Sequence, residues 1–268
     1  METMNNKSRW WVYILIFFAT QIIAGLLGAI GGGVSRRGYD AITTEWVLSL
    51  ALFLANTLAI LLYLRLRPAE VTRQSTLQGV QGRNRPRTKL MFLLALPVIV
   101  LVNLVQELCF PEIPDLVGEE TFKAIMYNPI GLLTIAAIGP LCEEMLFRGG
   151  VQHCLHKSFP EQGPQMAIGL SAVIFALIHL NPAQMPAAFV LGLLLGAAYW
   201  WTKSLIAPAL IHVFNNSFAC MMSIISPDSD SFVEFVGGKE GAVLMCAASL
   251  LVLVAVAYAI RREARKAD

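Results

Sequence analysis

Eight apolar stretches alternate with short polar segments along this chain of 268 residues. An α-helix rises 1.5 Å per residue, so about 20 apolar residues cross the ~30 Å hydrocarbon core of a bilayer. The pattern therefore predicts an all-α polytopic membrane protein, a bundle of about eight transmembrane helices enclosing a membrane-embedded cavity. The predicted spans are residues 10–33, 46–64, 90–110, 129–149, 166–180, 186–201, 205–225 and 242–260.

Composition supports this class. Hydrophobic residues make up 56% of the chain and charged residues 14%, whereas soluble domains carry roughly 25% charged residues. No polar stretch is long enough for a soluble domain, so we expect one integral membrane domain over residues 1–268. The first apolar stretch is too long for a secretory signal and is expected to remain in the protein. The five cysteines are odd in number and lack CxxC spacing, which indicates buried apolar residues.

The charges predict an orientation. If both termini are cytoplasmic, the segment 65–89 and the other cytoplasmic segments hold most of the lysines and arginines, as short cytoplasmic loops usually do. We therefore expect a multi-pass protein of a bacterial inner membrane with both termini in the cytoplasm. The basic segment 65–89 also suits anionic lipid headgroups. The lipid bilayer is thus an expected partner, and nucleic acid is not.

Ionisable side chains inside apolar spans are costly, about 2.5 to 3.5 kcal/mol at the bilayer centre on insertion scales, and therefore indicate function. The polar residues that stand out in the predicted spans are Glu107, Glu143, Glu144, Arg148, His179, His212, Asn215 and Asn216.

The two adjacent glutamates have different helical neighbours. Glu144 and Arg148 are four residues apart, which places them on one helix face and predicts an ion pair. Glu143 points about 100° away and has no local partner, so it is the candidate general base. Gly139 and Pro140 precede it, and we expect them to loosen the helix and admit water.

Two further pairs follow at the same spacing. Phe175 shares a helix face with His179, and His212 shares one with Asn216. A glutamate and a histidine can activate water, while a second histidine and an asparagine can stabilise an oxyanion. The residues alone leave a second chemistry open, in which Glu143, His179 and His212 bind Zn²⁺.

The three motifs EExxxR, FxxxH and HxxxN, in this order on successive apolar helices, resemble the CPBP group of intramembrane proteases. This group includes the type II CAAX prenyl endopeptidases and the bacterial Abi proteins. The resemblance covers about residues 129–226, which we take as the catalytic core helices. It implies an eight-helix bundle that hydrolyses a peptide bond. The residues it assigns are Glu143 and His179 for water activation, His212 and Asn216 for the oxyanion hole, and Glu144, Arg148 and Phe175 for support.

The resemblance leaves the cofactor open. The family is commonly labelled as metalloproteases, and a glutamate-dependent mechanism without metal is the competing view. The chain has no HExxH motif, which favours the second view, so zinc at Glu143, His179 and His212 is kept as the alternative.

The sequence thus predicts an intramembrane endopeptidase acting on a peptide or lipid-linked peptide presented from the membrane or its cytoplasmic face. A proton-coupled transporter or channel, and a non-catalytic immunity or scaffold protein, are the rival interpretations. One mismatch arises within the first interpretation, because His179 lies some 20 Å along the fifth span and His212 about 10 Å into the seventh. The mismatch disappears if the fourth helix continues beyond Gly150.

Overall fold

Every regular element that the computed structural model describes is helical; it describes residues 9–35, 41–68, 70–71, 85–109, 119–225 and 231–265. A 3₁₀ turn, Pro160–Gln162, links two of the helices. In chain order the helices are α1 (Trp10–Ser35), α2 (Ala41–Leu66), α3 (Arg85–Cys109), α4 (Glu119–Met126), α5 (Pro129–Ser158), α6 (Gly163–Leu177), α7 (Met185–Thr202), α8 (Ile206–Ile225), α9 (Phe232–Phe235) and α10 (Gly238–Arg265). The prediction of an all-α polytopic bundle is confirmed.

Seven helices in the described part of the chain are long and apolar enough to cross a membrane: α1, α2, α3, α5, α7, α8 and α10. The predicted span 166–180 corresponds to α6, which has 15 residues and ends at Leu177. At 1.5 Å per residue α6 is only about 22 Å long, less than the hydrocarbon core. Helix α6 ends three residues before the predicted end at residue 180, because the apolar pattern there continues into a turn.

Helix α5 is longer than predicted and is irregular. It continues to Ser158, well past the predicted end at residue 149. The sequence predicted that His179 and His212 would lie at the same depth in the bundle only if this helix continued beyond Gly150, as it does. Two wide π-helical segments, Thr134–Ile138 and Met145–Gln152, flank the α-helical stretch Gly139–Glu144. Glu143 therefore lies about halfway along α5, between two departures from regular helix.

The bundle has a basic end and an acidic end. The end of α2 meets the start of α1, where Tyr13 Oη donates to Leu66 O. The side chain of Arg87, at the start of α3, lies over the ring of Trp201 at the end of α7. We call this the basic end; its described basic residues are Arg9, Arg65, Arg67, Arg87, Lys89, Lys157, Lys203, Arg261 and Arg262. The opposite, acidic end holds Glu45, Glu107, Glu234 and Glu240, with Lys123 and Lys239.

A short helix is fastened at the acidic end. The carboxylate of Glu107, near the end of α3, accepts hydrogen bonds from Ser231 Oγ and from the backbone N–H groups of Phe232 and Val233. A carboxylate at a helix N-terminus satisfies N–H groups that the helix leaves unpaired. Glu107, which stood out in the sequence as an ionisable residue in a span, therefore caps α9 and joins it to α3.

Towards the basic end, α5 packs closely on α1 and α2. A Cβ atom at Gly149 would overlap the hydroxyl of Tyr63, and one at Gly150 would overlap the ring of Tyr13. Beside this contact, the ring of Phe147 meets Phe17 and Phe175 edge to face, at centroid distances of 6.0 and 5.2 Å. This half of the bundle is a continuous packed core.

Candidate active site

A cavity of about 520 Å³ lies among α3, α5, α6, α7 and α8, and residues of α1, α2 and α4 also line it. Residues of all three sequence motifs line it, although they are far apart in the chain. The lining residues that the sequence singled out are Glu143, Phe175, His179, His212, Asn215 and Asn216. The structure thus brings the four predicted catalytic residues to one cavity, while Glu144 and Arg148 lie behind its wall.

Glu144 is held on both carboxylate oxygens. Its Oε2 lies 3.0 Å from Arg148 Nε, and both side chains are almost completely buried, at 1% and 0% exposure. Its Oε1 lies 2.9 Å from Nδ1 of His212. The guanidinium of Arg148 also lies over the ring of Phe175, 4.8 Å from the ring centre. The predicted ion pair is present. The contact between Glu144 and His212, which positions the imidazole, was not predicted from the sequence.

Glu143 faces the cavity. Its side chain is 21% exposed, and its Oε2 lies 3.8 Å from Nε2 of His212. It also lines a second cavity of about 370 Å³, which Glu143 and His179 share with Phe17 and Gln21 of α1. The imidazole of His212 therefore lies between the two glutamates, with Nδ1 towards Glu144 and Nε2 towards Glu143.

His179 lies in the turn after α6. Its Nδ1 is 2.7 Å from the carbonyl oxygen of Phe175. A carbonyl oxygen only accepts hydrogen bonds, so Nδ1 carries the proton and Nε2 of a neutral ring has a free lone pair. The imidazole packs edge to face on the ring of Phe175, at a centroid distance of 4.9 Å. This arrangement fixes the tautomer and the orientation of the ring.

Asn216 makes a contact with α5 that explains its position. The N–H of Gly139 donates to Thr134 O, five residues back. With the same five-residue spacing, the carbonyl of Ile135 would accept from the N–H of residue 140. Residue 140 is proline, which has no N–H. Asn216 Nδ2 donates to Ile135 O at 3.1 Å instead. One amide hydrogen of Asn216 is thus engaged by the helix irregularity that the Gly-Pro pair was expected to cause.

The cavity also has polar residues that the sequence search missed. That search looked for ionisable groups, whereas these residues are neutral amides. Gln106 of α3 donates from Nε2 to Ala183 O at 2.6 Å and accepts from the N–H of Ala187 at 3.1 Å, joining the turn between α6 and α7 to α3. Asparagine or glutamine within an apolar span is the signal that would have found them. The lining amides are Gln21, Asn56, Asn103, Gln106 and Gln184.

The proposed zinc ligands do not form a zinc site in this arrangement. No three His, Cys, Asp or Glu side chains among the described residues are grouped so that they could hold a metal ion. His212 Nε2 and the carboxylate of Glu143 are 3.8 Å apart, a spacing that two ligands of one ion could have, but no third described His, Cys, Asp or Glu side chain is grouped with them. Structural and catalytic zinc sites have at least three protein ligands at about 2.0–2.3 Å.

Comparison with known proteins assigns this part of the chain. Residues 126–218, which contain α5 to most of α8 and all the motif residues, match the family model described as type II CAAX prenyl endopeptidase Rce1-like. This segment, about a third of the chain, is similar to the Rce1-like family. The resemblance drawn from the three motifs is confirmed.

Two curated bacterial proteins are similar. "Membrane-embedded CAAX protease MroQ" of Staphylococcus aureus (strain USA300) is 32% identical over 106 residues, which are 38% of this chain and 42% of that protein. The matched segment is thus less than half of MroQ. "Putative membrane peptidase YdiL" of Bacillus subtilis (strain 168) is 23% identical over 230 residues, 82% of this chain and 90% of that protein. No solved structure shows a significant match.

Proposed function

We propose that the protein is a membrane-embedded endopeptidase that hydrolyses a peptide bond with water activated by Glu143 and His179. The observation that carries the proposal is that two neighbouring carboxylates have different environments, one buried behind the cavity wall and one exposed to the cavity. Glu144 is locked behind the wall by Arg148 and His212, and Glu143 is exposed to the cavity beside His179. The Rce1-like family and the named membrane peptidases among the relatives support the same chemistry.

The first step is water activation. In the proposal, a water in the cavity donates a hydrogen bond to Glu143, and Nε2 of His179 accepts its other hydrogen. Nδ1 of His179 is bonded to Phe175 O, so Nε2 is the nitrogen that accepts. The pair takes one proton as the water oxygen attacks the peptide carbonyl, and later delivers it to the departing amine. Atoms and charge balance without a covalent enzyme intermediate.

The second requirement is stabilisation of the oxyanion that forms on the peptide carbonyl. His212 and Asn216 are the proposed donors. His212 donates from Nδ1 to Glu144, so donation from Nε2 to the substrate requires the imidazolium form, between the carboxylates of Glu143 and Glu144. Asn216 uses one amide hydrogen for Ile135 O, and the other would reach the oxyanion. Preorganised donors of this kind contribute about 3 to 4 kcal/mol each.

The packing argues for a protease over a proton channel. A relay would need polar groups or space from Glu143 to both faces of the bundle. Between Glu143 and the basic end, α5 does carry the polar residues Glu144, Arg148 and Gln152, but none of them lines the cavity. They are packed among Leu146, Phe147, Val151 and Leu155, each with zero exposure, which leaves no exposed path along this part of α5. A cavity that does not continue to the basic end suits a substrate segment that enters and leaves elsewhere.

The test is cleavage of a quenched fluorescent peptide library by the purified full-length protein in detergent. Glu143→Gln and His179→Ala are each expected to lower the cleavage rate by at least about a hundredfold, since each removes a group that takes part in proton transfer. Glu45→Gln is the matched control, because it removes a carboxylate at the acidic end that does not line the cavity.

Cleavage at the parental rate by folded Glu143→Gln would overturn the proposal. A chelator-treated sample, checked for zinc content, tests the metal alternative on the same substrate. Full activity in a zinc-free sample is the result expected here, and activity that returns only with added zinc would restore the zinc site.

A further inference from the structure

The turn between α6 and α7 does not reach the acidic end. Both helices have one end at the basic end of the bundle, because α6 follows the end of α5 and α7 ends at Thr202 beside Lys203. With 15 and 18 residues they extend only about 22 and 27 Å from it, whereas α3 has 25 residues and α5 has 30. The turn 178–184 therefore stops short of the end of α3, within about one helical turn of it, where Gln106 bonds to Ala183 O.

Backbone of this kind is stable at membrane depth only when protein buries it or when it lines a water-filled space. Asn181 of the turn is completely buried, and Gln106 of α3 bonds to Ala183 O and to the N–H of Ala187. Gln184, by contrast, is exposed and lines the cavity. The turn thus forms one wall of an aqueous space whose other side is α3.

The cavity extends from Glu143 towards the acidic end. Its lining includes Gln106, three residues before the end of α3, Phe122 of α4, and Thr134 near the start of α5. Towards the basic end the cavity does not continue along α5, because this part of the helix is packed. Its apolar residues are exposed by 2% or less: Leu146, Phe147, Val151, Cys154 and Leu155. The larger cavity therefore leads from Glu143 towards the acidic end, and the second cavity leads from Glu143 between α1 and the turn 178–184. Neither cavity leads towards the basic end.

The charges identify that end. Lysine and arginine collect in cytoplasmic segments, and acidic residues contribute little to orientation. Most of the described basic residues lie at the end opposite the cavity, whereas Lys123 and Lys239 lie at the acidic end. Two of the former lie over tryptophan rings, Arg87 over Trp201 and Lys203 over Trp200. By this rule the basic end is cytoplasmic.

We propose that the active-site cavity is loaded from the extracytoplasmic face of the membrane. Resting on the proposed endopeptidase function, this defines the substrate as a polypeptide segment whose cleavage site is already on that side, either exported or anchored in the membrane. The cavity wall suits such a segment, since the exposed amide of Gln184 and the second amide hydrogens of Asn103 and Gln106 can pair with the backbone of an extended peptide. This inference replaces the expectation of cytoplasmic presentation.

The test is cysteine accessibility in the full-length protein, with the five native cysteines replaced by alanine or serine. Gln184→Cys reports on the cavity wall, and Glu161→Cys, in the exposed turn after α5, is the matched control at the basic end. Intact cells and inverted membrane vesicles are treated with a membrane-impermeant maleimide. We expect Gln184→Cys to be labelled in intact cells, and Glu161→Cys only in inverted vesicles.

Labelling of Gln184→Cys in inverted vesicles alone would overturn the inference. So would failure of folded Gln184→Cys to label from either side while it labels fully after denaturation, since the turn would then not be in water. Labelling does not depend on catalysis. If Gln184→Cys is labelled from outside but the protein cleaves no peptide, the access route holds and the endopeptidase proposal is refuted. If the protein cleaves peptides but Gln184→Cys is labelled only in inverted vesicles, the endopeptidase proposal holds and the access route is refuted.

Discussion

The two halves of helix α5 differ in packing: one is buried in the core and the other borders the cavity. From Met145 towards the basic end it is π-helical through Gln152, and every residue from Leu146 to Gln152 is buried. This stretch contains Arg148 and two glycines that pack against tyrosine side chains of α1 and α2. From Gly139 towards the acidic end it borders a cavity, and Pro140 leaves a carbonyl of the preceding turn to be paired by Asn216. Glu143 and Glu144 stand at the boundary, one facing each half.

The difference shows why two adjacent carboxylates are useful. A carboxylate in the closed half needs a partner for each oxygen, and Glu144 has Arg148 and His212. That demand fixes the imidazole of His212 next to Glu143. The closed half therefore aligns the site, and the open half supplies water and space.

The largest effect is expected from breaking the ion pair of the closed half. Arg148→Leu leaves the buried carboxylate of Glu144 without its cation, which costs about 3 to 5 kcal/mol. Unfolding in mixed detergent micelles measures the loss. The double variant Glu144→Gln/Arg148→Leu should lose clearly less, because it buries no unpaired charge. Equal stability of Arg148→Leu and the parent protein would show that the pair is not structural.

Close packing of the closed half gives the next effect. Gly149→Ala places a methyl group where the hydroxyl of Tyr63 lies, and overpacking of this kind costs about 1 to 3 kcal/mol. Gly169→Ala in α6 is the control, since a Cβ there has no neighbour within 4 Å. It should be neutral or slightly stabilising, because alanine favours helix. Similar losses for both glycines would mean that the contact between α5 and α2 is loose.

In the open half, loss of a polar anchor should cost less. Gln106→Leu removes the hydrogen bonds to Ala183 O and Ala187 N, but water in the cavity can replace them. We expect about 1 kcal/mol, in the same unfolding measurement. A loss as large as that of Arg148→Leu would indicate that this region is dry, contrary to the comparison of the two halves.

The smallest effect is expected at the surface of the basic end, where Lys157 Nζ lies 2.6 Å from Glu70 Oε1. The hydrogen bond from Lys157 lowers the pKa of Glu70. A lowered pKa stabilises the folded protein above the ordinary value of the carboxyl group, and the contribution disappears as the pH falls through the folded value. Since Glu70 is about half exposed, Lys157→Ala should cost at most ~1 kcal/mol at pH 7.

That difference should vanish in acid. Unfolding of the parent and of Lys157→Ala, compared at pH 7 and below pH ~4, checks the sign. A difference that grows towards acid would contradict it.

Sequence reasoning predicted what depends on local spacing. The pairing of Glu144 with Arg148 and the shared faces of Phe175 with His179 follow from helical periodicity, and the apolar windows located seven of the spans. It missed what depends on tertiary contacts. The bond between Glu144 and His212 joins residues 68 positions apart, and Gln106 meets the turn 178–184 through another such contact.

The length of α6 was missed for a different reason. Hydropathy continues from Ala176 through Leu180, although the helix ends at Leu177 and the backbone of Leu180 has a φ of 51°. An apolar turn has the same composition as an apolar helix. The residues that distinguish this turn in the sequence are Asn181, Pro182 and Gln184.

The most direct measurement compares the two glutamates in one preparation. Unfolding stability and peptide cleavage are determined for Glu143→Gln and Glu144→Gln beside the parent protein. The division between an open and a closed half predicts that Glu143→Gln keeps the parental stability and loses cleavage by at least about a hundredfold, while Glu144→Gln is clearly destabilised. A Glu143→Gln protein that cleaves at the parental rate, or that unfolds as easily as Glu144→Gln, would contradict it.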